Sequence, residues 1–317
     1  MQTGLALASY RIFGRHGVRN FNVDVKKSAH PLQSRLSPNS SASALAEESV
    51  TEQAEMKISR LQIAKTLSAL AVLGLLAATA HAVWRIRQSA ELARQSEPFQ
   101  ALPDDATASL LIAGDSTAVG TGASSGWQSV AGLIARDHPH LKIINRARDG
   151  ARFSDFARQI EGKERFDAIL ILGGGNDVIR LTGHESLALD IARTAQRARS
   201  HARLVIFMPS GNVGNAPFFF PPLSWLMSRR SRELHRLVRQ AAADNGALYV
   251  SLYKDEADDP FAQLPDDLNA RDGLHPSDAG YRLWYQELNM QAALARRLAA
   301  LRWHGALKSA VNPARTA

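Results

Sequence analysis

Five short, almost uninterrupted apolar runs in the last two thirds of the chain constrain its fold more than any other feature. They are "SLLIAG" (109–114), "LKIINR" (141–146), "DAILIL" (167–172), "ARLVIFM" (202–208) and "ALYVSL" (247–252). Helix-compatible segments lie between them near 125–137, 153–162, 184–200 and 223–244, with a last one near 277–301. Strands that alternate with helices predict a parallel sheet covered on both faces. Continuous rather than alternating hydrophobicity in the strands points the same way, because such strands are buried on both sides. One α/β domain over 105–303 accounts for the pattern, with 304–317 as a tail.

The polar residues collect directly after these strands. The first run ends in Gly114-Asp115-Ser116, and the second leads into "ARDGA" with Gly150 in its loop. The third ends in "GGGNDV", which contains Gly174, Gly175, Asn176 and Asp177. After the fifth, "RDGLHPSDAGY" carries Asp272 and His275. In an open α/β sheet all of these loops share the carboxyl edge, where ligands bind at the point of strand-order reversal. With strand order 2-1-3-4-5 the first and third strands flank that crevice, so Ser116 and Asn176 face each other.

Those residue types suit acyl transfer. A serine hydroxyl is a weak nucleophile at neutral pH and needs a base to take its proton. The imidazole of His275 suits that role, and Asp272, in the same turn, can hold its other ring nitrogen. Attack on a carbonyl places negative charge on oxygen. The backbone N–H groups of Ser116 and Gly150 and the side-chain amide of Asn176 are candidate donors to it. Asp115 and Asp177 are expected to brace their turns rather than react.

The four blocks, taken together and in order, resemble the SGNH hydrolase superfamily, which includes GDSL-type esterases and lipases. Ser116 in "GDST" matches the Ser of the first block, and Gly150 the Gly of the second. Gly174 to Asp177 match the Gly-x-Asn-Asp of the third, and Asp272 and His275 match the Asp-x-x-His of the fifth. Two positions depart from the family pattern: Thr117 replaces the usual Leu, and Asp149 precedes Gly150 where Ser is more typical. The resemblance covers about 105–303. It implies a flavodoxin-like three-layer α/β/α fold and metal-free hydrolysis of esters or thioesters, with no cofactor. Two other functions remain open: an acyltransferase using the same site on a carbohydrate or lipid acceptor, and a non-catalytic binding module that retains the pocket.

Two further motifs fit catalytic patterns without the right surroundings. "GASSG" (122–126) matches Gly-x-Ser-x-Gly, yet Ser124 follows a glycine-rich loop rather than the strand a nucleophile elbow requires. "DHPH" (137–140) matches Asp-x-x-His but falls before the second strand, at the opposite end of the sheet. The loop "PSGNVGNAPFFFPPLSWLM" (209–227) brings Phe218, Phe219, Phe220 and Trp225 after a strand end. Such a cluster can line an acyl pocket, touch a membrane or merely cover the core. Asn212, in the same loop, is near enough in sequence to approach the site.

The N-terminal third has a different character. Residues 1–55 show no hydrophobic periodicity and read as a disordered leader or a mis-assigned start, or, over the first 46 residues, as an organelle transit peptide. From Met56 the basic flank Lys57, Arg60 and Lys65 precedes Thr66–Trp84, which contains no charged residue. "AHA" (80–82) resembles a small-residue cleavage site. About 19 apolar residues can also span a bilayer. Residues 56–87 are therefore expected to be a signal peptide or a transmembrane anchor, and 88–104 a polar linker. Basic residues on both sides of the apolar stretch leave its orientation open.

The charge balance argues against a nucleic-acid partner. The net charge of +8 comes from 12 Lys and Arg against 8 Asp and Glu in residues 1–104, and 26 against 22 in 105–317. No basic stripe interleaved with aromatics results. The chain has no cysteine, which rules out disulfides and thiol nucleophiles.

Overall fold

The computed structural model describes residues 39–300. The chain divides into two units, Met1–Ala69 and Leu70–Ala317. Helix α1, Asn39–Gln95, supplies the described part of the first unit and opens the second. Thus 39–55, expected to be disordered, are helical; the rest of the expected leader and the tail 304–317 lie outside the described residues. The segment expected to be a linker, 88–104, is helical as far as Gln95. α1 is long and apolar enough to cross a membrane or to serve as a signal sequence.

In the second unit the strands are β1 (Ala108–Gly114), β2 (Leu141–Asn145), β3 (Phe166–Gly173), β4 (Ala202–Pro209) and β5 (Leu248–Tyr249). All neighbours pair in parallel, in the order β2-β1-β3-β4-β5. Short helices α2 (Ser116–Val119), α5 (Gly175–Ile179), α8 (Pro260–Gln263) and α9 (Pro265–Leu268) occupy loops. The layers are built by α3 (Val130–Asp137), α4 (Phe153–Gln159), α6 (His184–His201), α7 (Leu223–Asp244) and α10 (Asp278–Ala292).

Successive side chains of β1 go to opposite cores, which explains its unbroken apolar run. Leu110 and Ile112 pack with Leu133, Ile134, Tyr281 and Leu288 of α3 and α10. Leu111 and Ala113 pack with Phe153, Phe156, Ile191 and Leu234 of α4, α6 and α7. The result is the three-layer α/β/α sandwich expected from the alternation and the family resemblance.

β5 is shorter than the six residues its sequence suggested. It is an edge strand with one neighbour, and the chain leaves the ladder after Val250, whose N–H donates to Phe207 O at 2.8 Å. The Gln291 side chain takes over beyond it, accepting from Ser251 N at 2.8 Å. α10 stops at Ala292 because Ala293 adopts a left-handed conformation, φ 47°.

Beneath the carboxyl edge of the sheet, buried His235 of α7 lies 2.8 Å by Nε2 from Ser210 O and 2.7 Å by Nδ1 from the Tyr249 hydroxyl. The carbonyl can only accept, so Nε2 carries the proton. Burial pushes this imidazole down from 6.5 to about 4, against the Ser210 bond that favours its charged form. Between those values the unfolded chain takes up a proton that the folded one refuses, so stability falls as pH is lowered from 6.5 to about 4, by roughly 3 kcal/mol in all. Urea unfolding at several pH values should show this arm in the native protein and its loss in His235→Gln. Parallel curves for the two proteins would disprove it.

Candidate active site

Three of the four polar loops leave the carboxyl ends of β1, β2 and β3, the fourth lies between α9 and α10, and buried carboxylates tie the first three together. Asp115 caps α2: its Oδ1 accepts from Thr117 N at 2.9 Å and Thr117 Oγ1 at 2.7 Å. Its Oδ2 accepts from Gly174 N at 2.8 Å and Gly175 N at 3.2 Å, which joins the turn after β1 to the turn after β3. Gly173 must be glycine for this approach. It sits at φ +144°, and a Cβ there would lie 2.6 Å from the Asp115 carboxyl carbon.

Asp177 makes the second tie. Its Oδ2 accepts from Phe153 N at 2.9 Å and its Oδ1 from Thr182 Oγ1 at 3.0 Å, which links the β3 turn to the start of α4. Burial pushes both carboxyls up, opposed by the hydrogen bonds they accept. Gly114, just before the turn, has both backbone groups held by one buried side chain. Gln159 Oε1 accepts from its N–H at 2.6 Å, and Gln159 Nε2 donates to its carbonyl at 2.9 Å. Asp149, which replaces the more typical Ser, accepts from Thr121 Oγ1 at 2.7 Å.

The loop before α10 brings in the imidazole. Ala270 N donates to His275 O and Gly273 N to Ala270 O, both at 2.8 Å, which closes a tight turn. Within it Asp272 Oδ1 accepts from Leu274 N at 3.0 Å and His275 N at 3.1 Å, and Oδ2 lies 2.6 Å from His275 Nδ1. Burial alone would raise the Asp272 carboxyl. The hydrogen bond and charge of His275, with the two N–H groups, hold it below its ordinary value. An ionised carboxylate only accepts, so Nδ1 carries the proton and Nε2 is left as the acceptor. Ser116 Oγ is 2.8 Å from that Nε2. All three side chains are buried.

These groups open into one cavity of about 560 Å³, which Ser116, Gly150, Asn176 and His275 all line. Gly150 has φ +73°, a backbone glycine adopts without strain. Asn176 is anchored by Nδ2 donating to Ala151 O at 3.2 Å. That nitrogen has a second hydrogen to offer. Among the described residues no cluster of His, Cys, Asp and Glu could hold a metal ion.

The aromatic loop is divided. Phe218 lines the cavity, and its N–H donates to Gly273 O at 2.9 Å. Phe219 instead turns into the core beside α7. Phe220 and Trp225, 62% and 66% exposed, lie on the outer surface. Asn212 lines the cavity, but its Oδ1 is engaged with Gly214 N. The two other motifs are structural: Ser124 binds Asp278 at the start of α10, Asp137 accepts from Tyr285, and His140 pairs with Asp105.

Several contributors carry no motif. Ser210, at the end of β4, and Arg180, after α5, both line the cavity. So do Ile86, Ser89, Ala90 and Ala93 of α1.

The sequence profile of the GDSL-like lipase/acylhydrolase family matches residues 112–283. The GDSL-like esterase Rv1075c of Mycobacterium tuberculosis is 28% identical over 183 residues, 55% of this chain and 58% of that protein. Among solved structures, a lipolytic G-D-S-L protein from Veillonella parvula is 17% identical at a TM-score of 0.46, over 57% of this chain and 95% of its own. The acetylxylan esterase Axe2 of Geobacillus stearothermophilus is 20% identical at 0.44, over 60% and 96%.

Proposed function

The chain belongs to the GDSL-like lipase/acylhydrolase family, and on that premise we propose that it is a serine esterase cleaving carboxylic or thioesters through an acyl-enzyme on Ser116. The observation that carries this reading is the unbroken contact from Asp272 through His275 to Ser116, at 2.6 and 2.8 Å, within one cavity. Ser116 Oγ attacks the acyl carbon as its proton passes to His275 Nε2. The carbonyl oxygen takes the negative charge and is met by the N–H groups of Ser116 and Gly150 and the amide of Asn176. His275 returns the proton to the leaving alcohol or thiol as the tetrahedral carbon collapses. Water then attacks the acyl-enzyme by the same route and restores the hydroxyl. Asp272 stabilises the imidazolium without taking its proton.

A short p-nitrophenyl ester and a small fluorophosphonate test the reading together. The protein should hydrolyse the ester and lose activity in step with phosphonate bound to Ser116. Absence of both turnover and labelling would defeat it.

The amide of Asn176 is assigned a role confined to the transition state. Asn176→Ala should therefore lower kcat by about 100- to 1,000-fold while leaving KM nearly unchanged. A change confined to KM would remove it from the oxyanion site.

The apolar stretch of α1 supports a membrane-anchored or exported enzyme. Carbonate extraction of membranes, read with an antibody to the C-terminal domain, separates a retained anchor from a released product.

A further inference from the structure

The end of α1 forms a wall of the catalytic cavity. Ile86, Ser89, Ala90 and Ala93 line it. Their spacing of three and four residues places them on one face of the helix; Ser89 and Ala93 are half-buried, and Ile86 and Ala90 form the open rim of the wall. The helix is held at the histidine loop, since Arg85 Nη1 donates to Arg271 O at 2.8 Å. Ser89 Oγ lies 3.5 Å from His275 Nδ1. These residues follow both the apolar stretch and the "AHA" site, so a retained anchor and a cleaved signal alike keep them.

The rest of the cavity lining is mixed. Phe218, Leu252, Phe261 and Trp284 give it apolar surface. Near the oxyanion residues it holds the Ser210 hydroxyl, 4% exposed and without a hydrogen-bond partner among the described residues. Burying a hydroxyl unpaired is costly, so this group points to an occupant with a polar end. The small side chains of Ser89, Ala90 and Ala93 leave the space beside the helix open. From Ile86 to Ala93 the wall is roughly 10 Å long, comparable to an extended octanoyl chain.

We propose that this face of α1 is the acyl-chain wall, that Ala90 and Ala93 set the length accepted, and that the substrates are esters of medium-chain fatty acids. This rests on the ester-hydrolase reading above. Each methylene that finds apolar cover along the wall adds about 0.8 kcal/mol, or about fourfold in kcat/KM.

The test uses the full chain and p-nitrophenyl acetate, butyrate, octanoate and dodecanoate, with rates normalised to the Ser116 titrated by a small phosphonate. In the unaltered protein kcat/KM should rise from acetate to octanoate. Ala90→Phe or Ala93→Phe should lower the octanoate-to-acetate ratio by about tenfold or more. Arg87→Phe, at a position of the same helix that does not line the cavity, should leave the ratio alone. If neither alanine variant lowers the ratio to that extent, or if every ester slows equally, the wall assignment is overturned. If the unaltered protein cleaves no ester of any length, the hydrolase reading itself fails. Normalisation to titrated Ser116 keeps a partly misfolded variant from imitating either result.

Discussion

Replacing Ser116 with alanine should lower kcat on short esters by about 10⁴- to 10⁶-fold and leave the folded protein intact. The change removes one oxygen from a buried side chain and disturbs no loop tie, because Asp115, Gln159 and Asp177 hold the site through other atoms. Thermal unfolding of Ser116→Ala should therefore match the unaltered protein within a few degrees. Substantial activity in the folded variant would mean that the hydroxyl is not the nucleophile.

The second large effect is expected at Asp272. Asp272→Asn is nearly isosteric, so the loop should survive, but an amide can present N–H where the carboxylate only accepts. If it donates to His275 Nδ1, the imidazole must carry its proton on Nε2, facing Ser116 Oγ 2.8 Å away. The base would then be protonated at the position where it must accept. The expected loss in kcat is about 10⁴-fold, as when such a carboxylate is replaced elsewhere. Equal kcat in the two proteins would show that Asp272 serves the turn and not the histidine.

Much of the sheet and the polar centre was legible because both follow from local rules. A strand buried on both faces must be apolar throughout, and a residue at its carboxyl end is placed by the topology. Leu110–Ala113 and Ser116 could therefore be read together from one stretch of sequence. The ties were only partly legible. Asp115 and Asp177 were expected to brace their own turns, but nothing in their neighbourhoods revealed that they reach Gly174 and Phe153. Gln159 gives no signal at all, because its partner is a backbone 45 residues away.

The cavity walls were the least legible part, for a physical reason. "RQSAELARQ" is polar overall and reads as a linker. Its small-residue face becomes meaningful only when the histidine loop lies against it. Likewise "FFF" reads as one aromatic cluster, whereas backbone geometry sends Phe218 to the cavity, Phe219 to the core and Phe220 to the surface. Ser210 follows a strand as Ser116 does, yet a lone serine there marks nothing until its hydroxyl is seen buried and without a hydrogen-bond partner among the described residues.

The most direct measurement is rapid quenching during turnover of a short acetyl ester, followed by mass analysis of the digested protein. The peptide containing Ser116 should carry one acetyl group, appearing and disappearing at rates compatible with kcat, and His275→Ala should fail to accumulate it. Turnover with no acylated peptide, or with the acetyl group on another residue, would contradict the account at its centre.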